Sequence, residues 1–316
     1  MKRRALLTAT AATAALCLTS CAQSVPPVEL AAIPPLPLPA GATVGPPASG
    51  TIQTDNLLGS LRPNGDDVPQ VRQRGYLIVG IDQSQNLLSF RDTDGELKGF
   101  EVDLAREVAR DIFGEPKIDF RYVDSTSWVK ALEDGQVDMV LRSISVTRER
   151  QDQVFFSTPY FSGKTRILTQ KDSNIYGAAD LKGTVCVTNL STGSKRLGTI
   201  APNSTMLAVR NSADCLLALQ QNHADAVISD DAILSGMIAQ DPFTHIVGDP
   251  IATEQYAVAF AKPRTGRDTA PMIRQVNSTF ERIFRDGTWT RTYNHWFGAY
   301  LAPQAHPAVH YREEER

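Results

Sequence analysis

Between residues 75 and 297, short apolar runs alternate with segments of helical periodicity. The first run, residues 76–81, has the length and composition of a buried strand. Apolar side chains then recur every four positions from Phe100 to Ile112, which predicts an amphipathic helix. Further strands are predicted at residues 137–141, 185–188 and 224–229. Strands that alternate with helices predict an α/β fold with mostly parallel sheets.

Polar side chains follow these strands, at the edge where open α/β sheets bind ligands. They are Asp82 and Gln83 after the first strand, Arg142, Ser143 and Ser145 after the second, Ser191, Thr192, Gly193 and Ser194 after the third, and Ser229 and Asp230 after the fourth. Together they offer donors for a carboxylate and an anion for an ammonium group, which suits a small zwitterion. Taken singly, Ser, Thr and Asp at such junctions are also common helix N-caps, so this alternative stays open.

The first twenty residues have the pattern of an export signal. Three basic residues precede an apolar stretch, residues 5–18, that is too short to span a bilayer stably. The stretch ends in Leu18, two small residues and Cys21, which resembles a bacterial lipobox. We therefore expect cleavage before Cys21 and lipid attachment to its thiol. The alternative is a plain secretory signal that happens to contain cysteine.

The prolines are concentrated near the N-terminus, where ten of the nineteen lie between Pro26 and Pro69. Such a composition favours extended polyproline conformations and cannot bury a core. Residues 21–69 are therefore predicted to be a tether between the membrane and a globular body. The polar tail, residues 301–316, is predicted to be flexible.

Charge and motifs exclude several classes of function. The chain has 32 Lys and Arg against 35 Asp and Glu, a formal net charge of −3, which excludes a broadly basic nucleic-acid-binding protein. The sequence lacks a Gly-x-Ser-x-Gly elbow, zinc-ligand spacing and a phosphate-binding loop. No metal and no cofactor are predicted.

Cysteine usage fits an exported protein. Of the four cysteines, Cys17 leaves with the signal and Cys21 is the predicted anchor. The remaining pair, Cys186 and Cys215, is predicted to form a disulfide. The alternative is two buried free thiols.

Four motifs occur in a fixed order between residues 75 and 298. The first, residues 99–109, reads Gly, aromatic, acid, aliphatic, acid, aliphatic before a helix. The others are residues 143–150 followed by 156–160, residues 225–230, and residues 285–289 with 296–298. As an ordered set they resemble the family 3 solute-binding proteins, which are the polar amino-acid receptors of bacterial ABC importers.

This resemblance implies a periplasmic-binding-protein type II fold, the Venus flytrap, in which two α/β lobes are joined by two hinge strands. Lobe 1 would comprise residues 70–163 plus 260–300, and lobe 2 residues 164–259. The crossings are expected at residues 160–166 and 255–260. Closure would be a hinge motion that ligand contacts from both lobes favour.

The resemblance also implies ligand-binding roles. Arg150 matches the arginine that grips the ligand α-carboxylate, and Asp230 matches the carboxylate that binds the α-ammonium group. The other matching positions are Ser143, Ser145, Ser191, Thr192 and Gly193. The alternatives are a surface charge for Arg150 and a helix N-cap for Asp230, with Asp231 as its competitor.

Specificity for the ligand side chain depends on Arg142, which occupies a position where the family often has a small residue. A buried arginine needs an anion, which would be either a ligand side-chain carboxylate or Asp82. Asp82 itself would favour an amide or a cation. If the two residues pair, the pocket could accept acids and amides alike. Phe90 is expected to pack on the ligand.

We therefore expect a monomeric, lipid-anchored, extracytoplasmic protein that captures glutamate, aspartate, glutamine or asparagine and delivers it to an ABC permease. Two alternatives stay open. One is a sensor that presents its closed form to a membrane signalling partner, and the other is a cyclohexadienyl-dehydratase-like enzyme on the same fold. We expect no enzymatic activity.

Overall fold

The computed structural model describes residues 36–48, 50–65, 67–263 and 268–313. The predicted signal peptide, the predicted lipid site at Cys21 and the first part of the predicted tether lie outside these ranges. Within them, no helix is both long enough and apolar enough to span a membrane.

Strands and helices alternate along the chain, as the periodicity predicts. The strands are β1 Thr43–Gly45, β2 Leu77–Ile81, β3 Ser84–Gln85, β4 Ser89–Arg91, β5 Leu97–Lys98, β6 Ile118–Tyr122, β7 Met139–Leu141, β8 Val154–Phe156, β9 Phe161–Gln170, β10 Thr184–Thr188, β11 Thr205–Val209, β12 Ala226–Asp230, β13 Thr244–Tyr256 and β14 Ala259–Ala261. The helices are α1 Pro69–Arg74, α2 Phe100–Phe113, α3 Trp128–Glu133, α4 Arg148–Gln151, α5 Thr192–Ile200, α6 Ser212–Gln220, α7 Asp231–Gln240, α8 Ala270–Arg285 and α9 Thr288–Phe297.

One sheet has the strand order β6-β2-β7-β14-β8 within the described ranges, and we call the body built on it lobe 1. Strand β2 runs parallel to both of its neighbours, β6 and β7, and all five of its residues are buried. A parallel strand that is covered on both faces consists of a continuous run of apolar residues. This is why β2 could be predicted from the sequence. Helices α2, α8 and α9 pack together around an aromatic core that contains Phe100, Phe280 and Trp289.

A second sheet has the order β1-β11-β10-β12-β9-β13 among the described residues, and we call the body built on it lobe 2. Its centre is parallel, with β10 between β11 and β12. The predicted disulfide is confirmed, since Cys186 of β10 is bonded to Cys215 of α6 with the two Cα atoms 5.5 Å apart. Closing a loop between residues that are 29 positions apart in the sequence stabilises a fold by roughly 3–4 kcal/mol.

After β2, the chain passes between the two sheets twice, from β8 to β9 and from β13 back to β14. The two crossing strands pair with each other, and Tyr256 lies opposite Phe161 where they leave lobe 2. The α/β prediction is therefore confirmed. The predicted boundary residues of the two lobes stay a prediction.

The tether prediction is wrong for the part of residues 37–69 that the structure describes. Strand β1 pairs antiparallel with β11 at the edge of the lobe 2 sheet. Further along, the Arg148 N–H donates to the Gln53 carbonyl at 3.0 Å, and Leu61 is buried in the core of lobe 1. Proline content predicted an unpaired chain, but Thr43 and Val44 suit an edge strand and Leu61 can bury its side chain. We call residues 43–48 and 50–61 the strap.

The flexible-tail prediction is also wrong for residues 301–313. The His306 ring stacks on Phe284, with ring centroids 4.2 Å apart. Tyr311 forms a parallel bridge with Ser60, and the Arg312 N–H donates to the Ser60 carbonyl. The tail is thus held against lobe 1 by backbone pairing and ring stacking, neither of which its polar composition reveals.

Candidate functional site

A cavity lies between the two lobes, at the carboxyl ends of their strands. Its lining contains the predicted residues Arg142, Ser143, Ser145, Arg150, Ser191, Thr192, Gly193 and Asp230. It also contains Ser229, which follows the fourth predicted strand, and Gln85, Ser125, Trp128, Ile144, Thr188, Asn189, Leu190 and Ile233, which the sequence did not select as site residues. The polar residues after the strands therefore meet in one place, as the sheet topology requires.

Arg150 enters the cavity from helix α4 of lobe 1. The helix begins after Thr147, whose hydroxyl accepts the Arg150 N–H at 3.2 Å and caps the helix. The guanidinium donates to the Ser145 carbonyl at 2.7 Å and to the Leu190 carbonyl of lobe 2 at 3.1 Å. Arg150 is therefore held at the cleft by contacts to both lobes, and the alternative of a free surface charge does not fit.

Ser143 occupies a strained turn directly after β7. Its φ is 47°, a left-handed conformation that is costly for serine. The Ser143 N–H donates to the Glu101 carboxylate at 2.6 Å, and Tyr160 donates its hydroxyl to the same oxygen. Burial raises the pKa of Glu101 to about 7. Glu101 thus fixes the turn that presents the Ser143 and Ser145 backbone to the cavity.

Asp230 closes β12 and lies just before helix α7, in lobe 2. It occupies the N-cap position, but its side chain makes no capping hydrogen bond. Instead its carboxylate accepts the Tyr256 hydroxyl at 2.7 Å and the Thr165 hydroxyl at 2.9 Å, both from the crossing strands. Asp230 is 6% exposed, and burial raises its pKa to about 7. The N-cap alternative therefore does not account for this carboxylate.

A second buried carboxylate, Glu254 of β13, lies beside Asp230. Arg196 donates to one Glu254 oxygen from both Nη2, at 2.8 Å, and Nε, at 3.1 Å. Thr165 Oγ1 lies 3.2 Å from that oxygen and 2.9 Å from Asp230, and its single proton can serve one carboxylate at a time. Repulsion from Glu254 adds to the effect of burial in raising the Asp230 pKa.

Asp231, the proposed competitor of Asp230, is engaged elsewhere. Its carboxylate accepts the Lys164 N–H at 3.0 Å and the N–H of Ala232 at 2.9 Å. It is absent from the residues that line the cavity within the described part of the chain. Of these two neighbouring aspartates, Asp230 is therefore the one that lines the cavity.

The start of helix α5 forms the lobe 2 wall of the cavity. Ser191 caps the helix, since its hydroxyl accepts the Ser194 N–H at 3.0 Å. Gly193 packs closely on β12, and a Cβ there would lie 3.1 Å from the Ile228 carbonyl oxygen. The N-terminus of a helix favours an anion, so this wall supplies a second place for a carboxylate beside Arg150.

Arg142 and Asp82 form a buried ion pair, with Nη2 3.2 Å from Oδ2 and side-chain exposures of 8% and 0%. Arg142 Nε donates to the Val123 carbonyl at 3.2 Å, and the other Asp82 oxygen accepts the Ser84 N–H and hydroxyl. Arg142 also lines the cavity, whereas Asp82 does not. Nη1 of Arg142 makes no hydrogen bond to any described residue. The sequence offered two partners for Arg142, and the structure supplies the internal one while leaving one donor group at the cavity.

Phe90 is not at the cavity. It lies in the β3-β4-β5 hairpin sheet, opposite Ser84 and Lys98, and its ring packs edge-on against Trp296 at 6.0 Å. The expectation that Phe90 packs on the ligand is therefore wrong. The side chain that reaches the cavity from this region is Gln85, which accepts the Ser143 hydroxyl at 3.2 Å.

For some of the cavity-lining residues that were not predicted, the sequence contained evidence of their position, and for others it did not. Thr188 ends strand β10, so the strand-end argument could have selected it. Trp128 begins helix α3, and a large aromatic side chain in a predicted helix is more often part of a core. Gln85 lies in the two-residue strand β3, which is too short for any periodicity to predict.

The two lobes touch across the cleft at several points. The Tyr122 hydroxyl donates to Asn211 at 2.7 Å, and Gln85 Nε2 donates to the Ser212 hydroxyl at 3.2 Å. Lys195 of lobe 2 forms an ion pair with Glu149 of lobe 1. The structure therefore has the closed arrangement of the lobes, stabilised by polar contacts at the rim of the cleft.

The arrangement suits binding of a zwitterion. Lobe 1 brings the guanidinium of Arg150 and lobe 2 brings the carboxylate of Asp230, while serines, threonines and amides line the remaining wall. A guanidinium can donate two parallel hydrogen bonds to a carboxylate, and a buried carboxylate can pair with an ammonium group. Among the described residues no cluster of three or more His, Cys, Asp or Glu side chains is suited to a metal ion.

Comparison with known proteins agrees with this geometry. Residues 77–299 match the family described as bacterial extracellular solute-binding proteins, family 3. The chain is 28% identical to the ABC transporter glutamine-binding protein of Bacillus subtilis, over 73% of this chain and 84% of that protein. It is 25% identical to the glutamate-binding protein of Corynebacterium efficiens, over 72% and 80% respectively. A crystal structure of a mutant ArgBP from T. maritima superposes with a TM-score of 0.66 at 28% identity, covering 73% of this chain and 98% of that one.

Proposed function

This chain belongs to the bacterial extracellular solute-binding proteins of family 3, and from that premise we propose that it captures acidic or amide amino acids by closure of its two lobes. Glutamate, aspartate, glutamine and asparagine are the proposed ligands. The captured amino acid would then be delivered to an ABC permease.

One observation carries this proposal: Arg150 of lobe 1 and Asp230 of lobe 2 line the same cavity. Their charges match the α-carboxylate and the α-ammonium group of an amino acid. Because each charge comes from a different lobe, a ligand that contacts both favours the closed form by its differential affinity.

The side-chain end of the cavity supports the choice of acids and amides. Arg142 lines the cavity while Asp82 neutralises its charge, and Gln85 and Ser125 add neutral polar groups. A free guanidinium would favour an acid alone, whereas a paired one can donate to a carboxylate and, more weakly, to an amide oxygen. Relatives named for glutamine and for glutamate are consistent with this choice.

We propose that the protein works outside the cytoplasm, as a monomer held at the membrane by a lipid on Cys21. We also propose that it performs no chemistry on its ligand. Incubation with prephenate or arogenate should give no product, and turnover of either would contradict this part of the proposal.

The proposal is tested by calorimetric titration of the protein with each of the twenty amino acids. We expect dissociation constants of about 1 µM or below for at least one of the four proposed ligands, which corresponds to roughly −8 kcal/mol. Heats at the level of buffer dilution for Asp, Glu, Asn and Gln would contradict it.

Two arginines of helix α4 provide a matched pair of variants. Arg150→Ala should weaken binding of every ligand by about 100-fold or more, because the α-carboxylate loses its charged partner. Arg148 lies two positions earlier and its side chain is exposed, so Arg148→Ala should bind like the wild type.

Arg142→Ala should weaken binding of acidic ligands more than binding of amides. An equal loss of affinity for both would remove its proposed role in side-chain recognition.

A further inference from the structure

The strap connects the two lobes a third time, outside the region that matches the family. The family match begins at residue 77, whereas the strap ends at residue 61. Its first residues, Thr43–Gly45, extend the lobe 2 sheet, and its last residues pack on lobe 1. Any motion that separates the lobes therefore acts on the strap as well as on the two crossing strands.

The strap also crosses the mouth of the cleft. A second cavity of about 440 Å³ lies there, and strap residues Thr51, Ile52 and Gln53 form part of its wall. Trp128 of lobe 1 and Lys195 of lobe 2 form other parts. Arg150, Ser191 and Thr192 line both this cavity and the ligand cavity. The route from solvent to the ligand site at this mouth therefore passes the strap.

The two ends of the strap are unequally held. On lobe 1, Ser60 donates its hydroxyl to the Phe156 carbonyl at 2.7 Å and accepts a hydrogen bond from Asn277 at 2.8 Å, and Leu61 is 5% exposed. On lobe 2, β1 is an edge strand of three residues, and Val44 is 56% exposed. Since burial and hydrogen bonds both favour the lobe 1 end, β1 is the end that detaches first.

The part of the strap between Gly45 and Gln53 limits how far the two lobes can separate while both of its ends stay attached. Seven residues separate Gly45 from Gln53, so the fully extended chain between them spans at most about 28 Å. Pro46 and Pro47 stiffen its first part. A hinge opening that exceeds this reach must break the pairing of β1 with β11 or the hydrogen bond between Gln53 and Arg148.

From these contacts we propose that the strap is a clamp across the mouth of the cleft, which restricts lobe opening and is released by detachment of β1 from β11. It keeps the open form less populated and so slows both entry and escape of the ligand. The ligand part of this proposal rests on the proposed function, whereas the restriction of opening does not.

The test compares one protein before and after its strap is cut. A specific protease site is inserted between Gly50 and Thr51 of the full chain, and spin labels are placed at Glu133→Cys of helix α3 and Thr199→Cys of helix α5, with Cys17 and Cys21 replaced by serine. Both labelled positions are exposed. We expect cutting to lengthen and broaden the distance distribution between the labels. An unchanged distribution would overturn the proposal.

A matched control has the same protease site between Asp94 and Gly95, in an exposed turn of lobe 1. Cutting there should leave the label distances unchanged, because this turn does not join the lobes. With a ligand found by titration, cutting the strap should raise the dissociation rate at least about fivefold, and an unaltered rate would contradict the clamp. Absence of any ligand would contradict the proposed function but would leave the distance test intact.

Discussion

Two buried aspartates lie near the cleft between the lobes, and their hydrogen-bond and ion-pair partners differ. Asp82 of lobe 1 is neutralised by Arg142 at 3.2 Å and receives two further hydrogen bonds from Ser84. Asp230 of lobe 2 is held by the hydroxyls of Tyr256 and Thr165, and within the described residues no Lys, Arg or His lies within ion-pair distance of it. Hydroxyls fix the direction of a carboxylate without cancelling its charge. Asp82 is therefore a structural partner of Arg142, and Asp230 is the carboxylate that we propose for a ligand ammonium group.

The surroundings of Asp230 strengthen this difference. The nearby Glu254 carboxylate has its own cation, Arg196, so the pair leaves one uncompensated acid rather than two. Burial and the proximity of Glu254 hold the Asp230 pKa at about 7. An incoming ammonium group stabilises the ionised Asp230 carboxylate and so offsets the free-energy cost of burying its charge. A ligand that makes this contact favours the closed cleft.

The largest effect is expected for Asp82→Asn, which should affect stability. It leaves the Arg142 guanidinium buried without its anion, and breaking a buried pair from one side typically costs about 3–5 kcal/mol. Denaturant unfolding of the variant and the wild type measures the difference. A loss below about 1 kcal/mol would show that Asp82 is not the partner on which Arg142 depends.

The opposite outcome is expected for Asp230→Asn, which should affect binding. The amide oxygen can still accept from Tyr256, and the amide NH2 group can donate to the Thr165 hydroxyl, whose proton then serves Glu254, so the free energy of unfolding should change little or rise. Ligand affinity should fall by about 100-fold, because the ammonium group loses its counter-charge. If this variant unfolds easily and still binds, the contrast between the two aspartates is lost.

Binding should depend on pH through Asp230. Its pKa is raised from 3.8 to about 7, so below pH 7 a proton must leave before the ammonium group can bind. Affinity should therefore fall about tenfold for each pH unit below 7 and level off above it. Calorimetry across pH 5 to 8.5 measures the profile, and a flat profile would contradict the role of this carboxylate.

A companion variant isolates the cause of that profile. Glu254→Gln removes the like charge beside Asp230, so the falling part of the profile should move to lower pH. Stability depends on pH in the opposite direction, because the folded protein holds the Asp230 proton more tightly than the unfolded chain does. The resulting contribution is complete below about pH 3.8 and is lost as the pH rises through about 7.

The smallest effect is expected at the rim of the cleft, where no buried charge is involved. Tyr122→Phe removes the hydrogen bond to Asn211 that joins the lobes. One neutral hydrogen bond contributes about 1 kcal/mol, so ligand affinity should fall roughly fivefold. Titration of the variant checks this, and a loss as large as that of Asp230→Asn would show that rim contacts rather than the buried charge control closure.

Periodicity predicted the inner elements well. Helix α2 spans Phe100–Phe113, where apolar residues recur every four positions, and the predicted run at 76–81 is strand β2. Both elements were predictable because the spacing of the apolar residues that they bury is visible in the sequence itself. The disulfide followed from cysteine count and export, without knowledge of geometry.

The errors share one physical cause, which is pairing between distant segments. Strand β1 exists because β11 offers an unpaired edge some 160 positions later, and the tail is ordered because Ser60 pairs with Tyr311. Phe90 packs on Trp296 from the far end of the chain. The cluster of Thr165, Asp230 and Glu254 likewise joins three strands, so the resemblance selected Asp230 but not its surroundings.

The central claim is that Asp230 supplies an uncompensated charge that recognises the ligand ammonium group. It is tested most directly by titrating the protein with L-glutamate and glutarate, and with L-glutamine and 4-carbamoylbutanoate, pairs that differ in the amino group. We expect each analogue without the amino group to bind at least about 100-fold more weakly than its amino acid. Equal affinities within either pair that binds would contradict the account.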